Sequence, residues 1–78
     1  MKTNKISQDY RKLNDFIRGE LRRQHISQSS LAYTLNLSQV GISKRLSGKT
    51  DWTMWEILNV FEVLGVAFDY TERTRNED

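Results

Sequence analysis

Residues 28–48 read QSSLAYTLNLSQVGISKRLSG, and the fold turns on how this segment divides. Leu31, Ala32 and Leu35 recur at helical spacing behind Ser27. Ser27 is a good N-cap, because its side-chain oxygen can accept a backbone N–H that the first helical turn leaves unpaired. Asn36 follows, and Asn is the commonest residue after Gly to take the left-handed backbone that a tight helix-to-helix turn demands. Ser38 caps the next helix, residues 39–46, in which Ile42 and Leu46 share one face, and Gly48 stops it. Two short helices thus meet across a tight turn, with the small Ala32 where they must pack closely.

Before this pair, Ser7 reads as the cap of a first helix. Tyr10, Leu13, Phe16, Ile17 and Leu21 form its apolar stripe, and Arg11, Lys12, Arg18, Arg22 and Arg23 cover the remaining surface. After it, Thr53 with Glu56 three residues on forms a capping box, and Trp52 is placed to staple against Ile57. The fourth helix is predicted over 54–64, apolar at Trp55, Leu58, Phe61 and Leu64, and closed by Gly65. Val66, Phe68 and Tyr70 alternate with Ala67, Asp69 and Thr71, a pattern that fits a short strand as well as one turn of helix. The expectation is an all-α domain of four helices over 7–70, its fifth element at 66–71 open between helix and strand. Residues 1–6 form a frayed N-terminus and 71–78 a charged, flexible tail.

Composition narrows the class. The 78 residues contain 12 Lys+Arg, 10 Asp+Glu, one His, no Cys and no Pro. With no cysteine there is neither a disulfide scaffold nor a thiol nucleophile, and His25 has no companions at metal-ligand spacing. No catalytic residue, metal site or cofactor is expected; His25 reads as a partner for the dipole at the C-terminus of the first helix. No apolar run is long enough for a signal peptide or a membrane span, so the expected compartment is the cytoplasm. The total charge of +2 hides an asymmetry: residues 1–50 carry ten cations and three anions, residues 51–78 two cations and seven anions. A polyanion would meet the first part and avoid the second.

The segment 28–48, with the SGKT that continues it and the later LGV, resembles the lambda-repressor-like helix-turn-helix group of bacterial and phage regulators. That group includes the Cro and CI repressors and the xenobiotic-response-element family. The resemblance covers roughly residues 16–66, with the Gln, the Ala, the turn residue and the inward aliphatics in register. Asn36 stands where the family usually has Gly, and Arg45 where many members have a buried aliphatic.

The resemblance implies that helix 39–46 is the recognition helix and lies in the major groove, N-terminal end toward the base edges. Gln39, Val40, Ser43 and Lys44 are then the base-contacting candidates. Gln can bond adenine bidentately, Val can pack on a thymine methyl, and Lys can donate to guanine O6 and N7. Gln28, Ser38, Arg45, Ser47, Lys49 and Thr50 are the phosphate-contacting candidates, joined by backbone N–H groups at the start of the second helix. In the family the Gln that opens the second helix commonly braces the Gln that opens the third, here Gln28 and Gln39.

The partner expected is double-stranded DNA, bound at a roughly palindromic operator by a weak homodimer, because one short helix reads few base pairs. Phe68 and Tyr70 are the expected dimer anchors. With only a short tail after the helices, the chain resembles a compact Cro-like phage or prophage repressor. Two alternatives use the same fold: the antitoxin of a toxin–antitoxin pair that represses its own operon, and an antirepressor that binds protein through the acidic C-terminal third.

Overall fold

The computed structural model describes residues 5–67, with side-chain environments from residue 9 onward. Within them lie four helices and no strand: α1 (Lys5–Arg23), α2 (Gln28–Leu35), α3 (Gln39–Leu46) and α4 (Met54–Leu64). Residues 66 and 67 belong to neither helix nor strand. The candidate dimer anchors Phe68 and Tyr70, and the charged tail 71–78, lie outside the described residues.

Three helices begin where their caps predict. The side chains of Ser27, Ser38 and Thr53 accept from the backbone N–H groups of Ser30, Gly41 and Glu56, and the Glu56 carboxylate returns the bond to Thr53 N–H. The exception is α1, which starts at Lys5 and passes through Ser7 instead of being capped by it. Ile6 continues the spacing of Tyr10, Leu13 and Ile17, and no Gly or Pro intervenes, so the helical pattern simply runs on.

All four helices close in the same way. His25, Asn36, Gly48 and Gly65 each take positive φ, at 60°, 61°, 83° and 72°. The next residue then reaches back five positions: Ile26 N–H to Leu21 O, Leu37 to Ala32, Lys49 to Lys44 and Val66 to Phe61, at 2.8–3.0 Å. This Schellman closure pairs carbonyls that the helix end would leave bare, and it usually carries a hydrophobic residue at that reaching position. Ile26, Leu37 and Val66 comply and pack against the core. The fourth reaching residue is Lys49, exposed at the end of α3.

The core takes one fully buried side chain from each helix: Ile17, Leu31, Ile42 and Val60. Leu21, Ala32, Leu46, Trp52, Ile57, Phe61 and Leu64 surround them, with Trp52 and Ile57 sharing the cluster as the staple predicts. The buried face of α4 differs from the expected one. Trp55 and Leu58 stand exposed, and Ile57 and Val60 take the core positions beside Phe61 and Leu64. The reason is angular. At about 100° per residue, a run spaced by threes from position 55 to 64 turns through roughly 180° of the helix surface, whereas 57 and 64 lie within about 20° of each other. Helix α4 has apolar residues on more than one face, and packing selects the coherent one.

Helix α1 ties the other elements together with polar side chains. Arg18 donates to Leu46 O at the end of α3, and Gln24 Nε2 donates to Leu64 O at the end of α4, 3.0 Å away. Tyr10 Oη accepts from Trp52 N–H at 2.6 Å, and the buried Asn14 accepts from Trp52 Nε1 at 2.8 Å. The loop between α3 and α4 is thereby fixed to α1. No helix among the described residues is long and apolar enough to cross a membrane.

Candidate nucleic-acid interface

Burying Ile42 and Leu46 orients α3. With the core direction set by those two residues, Gln39, Ser43, Ser47, Val40 and Lys44 fall within an arc of about 140° on the remaining surface. All five are exposed, Val40 at 65%. The base-contacting candidates therefore share one outward strip, and the phosphate candidate Ser47 continues it. Ser38 is exposed at the entry to α3 with its Oγ 2.9 Å from Gly41 N. Lys49 is exposed just past the helix end, and Thr50 is half-buried with its N–H bonded to Lys44 O. Gln28 is half-buried at the start of α2. The bracing of Gln39 by Gln28 is not formed, since neither side chain makes a hydrogen bond among the described residues.

Electrostatics reinforce the strip. From Gln28 to Thr50 the chain contains Lys44, Arg45 and Lys49 and not one acidic residue. Helices gain from carboxylates in the first turn, where the unpaired N–H groups concentrate positive potential. Both α2 and α3 lack one and are capped by neutral serines, while α4 has Glu56 there. The N-termini of α2 and α3 thus have no carboxylate of their own in the first turn to offset their positive ends. An open cleft of about 520 Å³ between α1 and the end of α3 is lined by Arg11, Ser47 and Gly48 and by Arg18, which is paired there with Asp15.

Arg45 is differently occupied from the expected phosphate contact. Its Nε and Nη2 lie 2.9 and 3.2 Å from the two carboxylate oxygens of Glu56, and its Nη1 donates to Gly41 O at 3.0 Å. Both side chains of the pair are largely covered, at 16% and 15% exposure. A Cβ at position 41 would sit 3.3 Å from Arg45 Nη1, so Gly41 leaves the room in which the guanidinium folds back. Arg45 Nε–H and Thr53 N–H share one Glu56 oxygen, which joins the flank of α3 to the capped start of α4. The Arg45 guanidinium, helped by Thr53, holds the Glu56 carboxyl below its ordinary pKa against the opposing effect of burial.

Sequence reasoning missed Tyr10, Asn14 and Arg18 as supports of this surface. Asn14 carried a signal, since it is a polar residue one turn from Tyr10 and three residues from Ile17 on the buried stripe of α1. The chain matches no family model, no curated protein and no solved structure.

Proposed function

We propose that this chain is a sequence-specific, double-stranded-DNA-binding transcriptional regulator of the lambda-repressor-like helix-turn-helix type, similar to a compact Cro-like phage or prophage repressor. The observation that carries the reading is the outward strip of α3, where Gln39, Val40, Ser43 and Lys44 are all exposed while Ile42 and Leu46 of the same helix are buried. It sits in a stretch free of acidic residues. In this reading α3 enters the major groove. Gln39, Val40, Ser43 and Lys44 read base edges, and Ser38, Ser47, Lys49 and the N–H groups opening α2 hold the phosphates. Arg45 acts by positioning α3 through Glu56. Two copies meet on one pseudo-palindromic operator.

Selecting duplexes from a random pool and titrating the best against salt tests the reading. If about five phosphates are neutralised, log K against log salt falls with a slope of about −4 to −5. Lys49→Ala weakens all duplexes alike and makes that slope shallower by roughly 0.9, whereas Gln39→Ala and Lys44→Ala flatten the preference among duplexes. A slope near zero from the folded protein refutes duplex binding. Base preference altered by Lys49→Ala and untouched by Lys44→Ala refutes the placement of α3.

A protein-binding role on the same fold, as an antitoxin or antirepressor, is the second reading. The exposed apolar residues of α4 favour it.

A further inference from the structure

The cleft between α1 and the end of α3 holds about 520 Å³, a volume within the range of small-molecule sites. Its α1 wall consists of Tyr10, Arg11, Asn14, Asp15 and Arg18. Asn14 is 3% exposed, and its side-chain oxygen accepts from Trp52 Nε1 at 2.8 Å. The amide NH2 of the same side chain has no acceptor among the described residues, although buried donors are paired almost without exception. One turn earlier, Tyr10 Oη accepts from Trp52 N–H at 2.6 Å, and its own proton likewise has no acceptor there. Arg11 is exposed on this wall and unpaired among the described residues.

The acceptors nearest these donors are occupied. A helix end normally leaves its last carbonyls bare, but those of α3 are all paired. Ser43 O takes Ser47 N–H, Lys44 O takes Lys49 and Thr50 N–H, Arg45 O takes Gly48 N–H, and Leu46 O takes Arg18. The Ser47 hydroxyl spends its proton on Lys44 O. Asp15, the one carboxylate lining the cleft, is bonded by Arg18. What remains is a surplus of donors, with two guanidinium groups to one carboxylate.

We propose that this cleft binds a small oxyanion, the carboxylate or phosphate of a free small molecule, with Asn14 Nδ2, the Tyr10 hydroxyl and Arg11 as its donors. Clustered acceptor oxygens carrying negative charge are what such a set lacks, and bonds from a guanidinium to them are stronger than neutral ones. Depth separates this ligand from a duplex phosphate. The backbone of DNA is met by side chains that stand out from the protein, such as Lys49, whereas the recessed Asn14 is reached only by a group small enough to enter the cleft. Because Trp52 is bonded to both Asn14 and Tyr10, an occupant bears on the loop that joins α3 to α4. Anion binding and duplex binding are separate properties, and either can be lost with the other retained.

Side-chain resonances of the nitrogen-15-labelled full chain read the site directly. Inorganic phosphate and, separately, acetate are titrated to about 50 mM with ionic strength held constant by chloride, so that screening does not change. The Asn14 NH2 and Trp52 Nε1–H signals are expected to move along a saturable curve, with a dissociation constant of about 1–10 mM for so small a probe. The Trp55 indole signal, from a side chain 75% exposed on α4 and outside the cleft, is expected to stay where it is. Arg11→Ala, at an exposed position, weakens binding about fivefold with the fold unchanged. Asn14→Asp keeps an oxygen for Trp52 Nε1, puts a negative charge in place of the donors, and abolishes binding. Lys12→Ala removes an exposed cation of α1 that does not line the cleft, and leaves binding unchanged. No saturable movement with either anion leaves the cleft to water and overturns the proposal. Movement of the Asn14 signal with a DNA duplex alone overturns the free ligand. Undiminished affinity in Arg11→Ala or Asn14→Asp, or an equal loss in Lys12→Ala, overturns the assigned donors.

Discussion

Separating Arg45 from Glu56 tests whether α3 is held at its angle by this pair. Glu56→Gln keeps an oxygen for Thr53 N–H and removes the counter-charge from a guanidinium that is about five-sixths covered. Breaking a fully buried pair from one side costs about 3–5 kcal/mol, and exposed pairs are worth less than about 1 kcal/mol. This partly covered, bidentate pair falls between, so Glu56→Gln is expected to cost about 1–2 kcal/mol. Arg45→Met costs about 1 kcal/mol, because Glu56 keeps its bond from Thr53 N–H and can reach water more readily. The double variant leaves no unpaired charge and is expected to be less destabilised than the sum of the singles by about 1 kcal/mol.

Against a total stability of roughly 3–5 kcal/mol for a domain this small, each change is readily measured in urea titrations followed by far-ultraviolet circular dichroism. Effects that add within about 0.3 kcal/mol refute the coupling. The pH dependence follows in sign. Arg45 holds the folded pKa of Glu56 below the unfolded value, so its contribution is present above an unfolded pKa of about 4.3 and disappears as pH falls through the folded value. The stability difference between the wild type and Glu56→Gln therefore narrows below about pH 4. A difference that widens instead contradicts the assigned charge state. In duplex binding, Arg45→Met leaves the salt slope unchanged if Arg45 only positions α3, and makes it shallower by about 0.9 if it neutralises a phosphate.

Trp52→Phe keeps a buried ring but strands the Asn14 side-chain oxygen, which is 3% exposed as a residue, and is expected to cost about 1–3 kcal/mol in the same urea assay. Adding Asn14→Leu recovers part of that cost, and a second change that simply adds to the first refutes the bond's role. His25→Gly relieves a non-glycine residue at φ 60° and is expected to stabilise by about 0.5–1 kcal/mol, raising Tm by a few degrees. A fall in Tm shows that the His25 side chain contributes more than its backbone strain costs.

What the sequence by itself determined is everything settled within a few residues. Ser27, Ser38 and the Thr53–Glu56 box place the starts of α2, α3 and α4, and Asn36, Gly48 and Gly65 place three of the ends, because a cap is a hydrogen bond to a backbone group three to five positions away. The exposed strip of α3 follows from the same local geometry once Ile42 and Leu46 are taken as inward. Tertiary structure decided what depends on which neighbour a surface meets. Helix α4 offers apolar residues on two sides, and only packing against α1 and α2 turns Ile57 and Val60 inward and leaves Trp55 outside. Arg45 finds its partner eleven residues along the chain, and Trp52 finds Asn14 at a separation of thirty-eight. Spacing within one helix carries no information about such contacts, because they exist only after the elements have been oriented against one another.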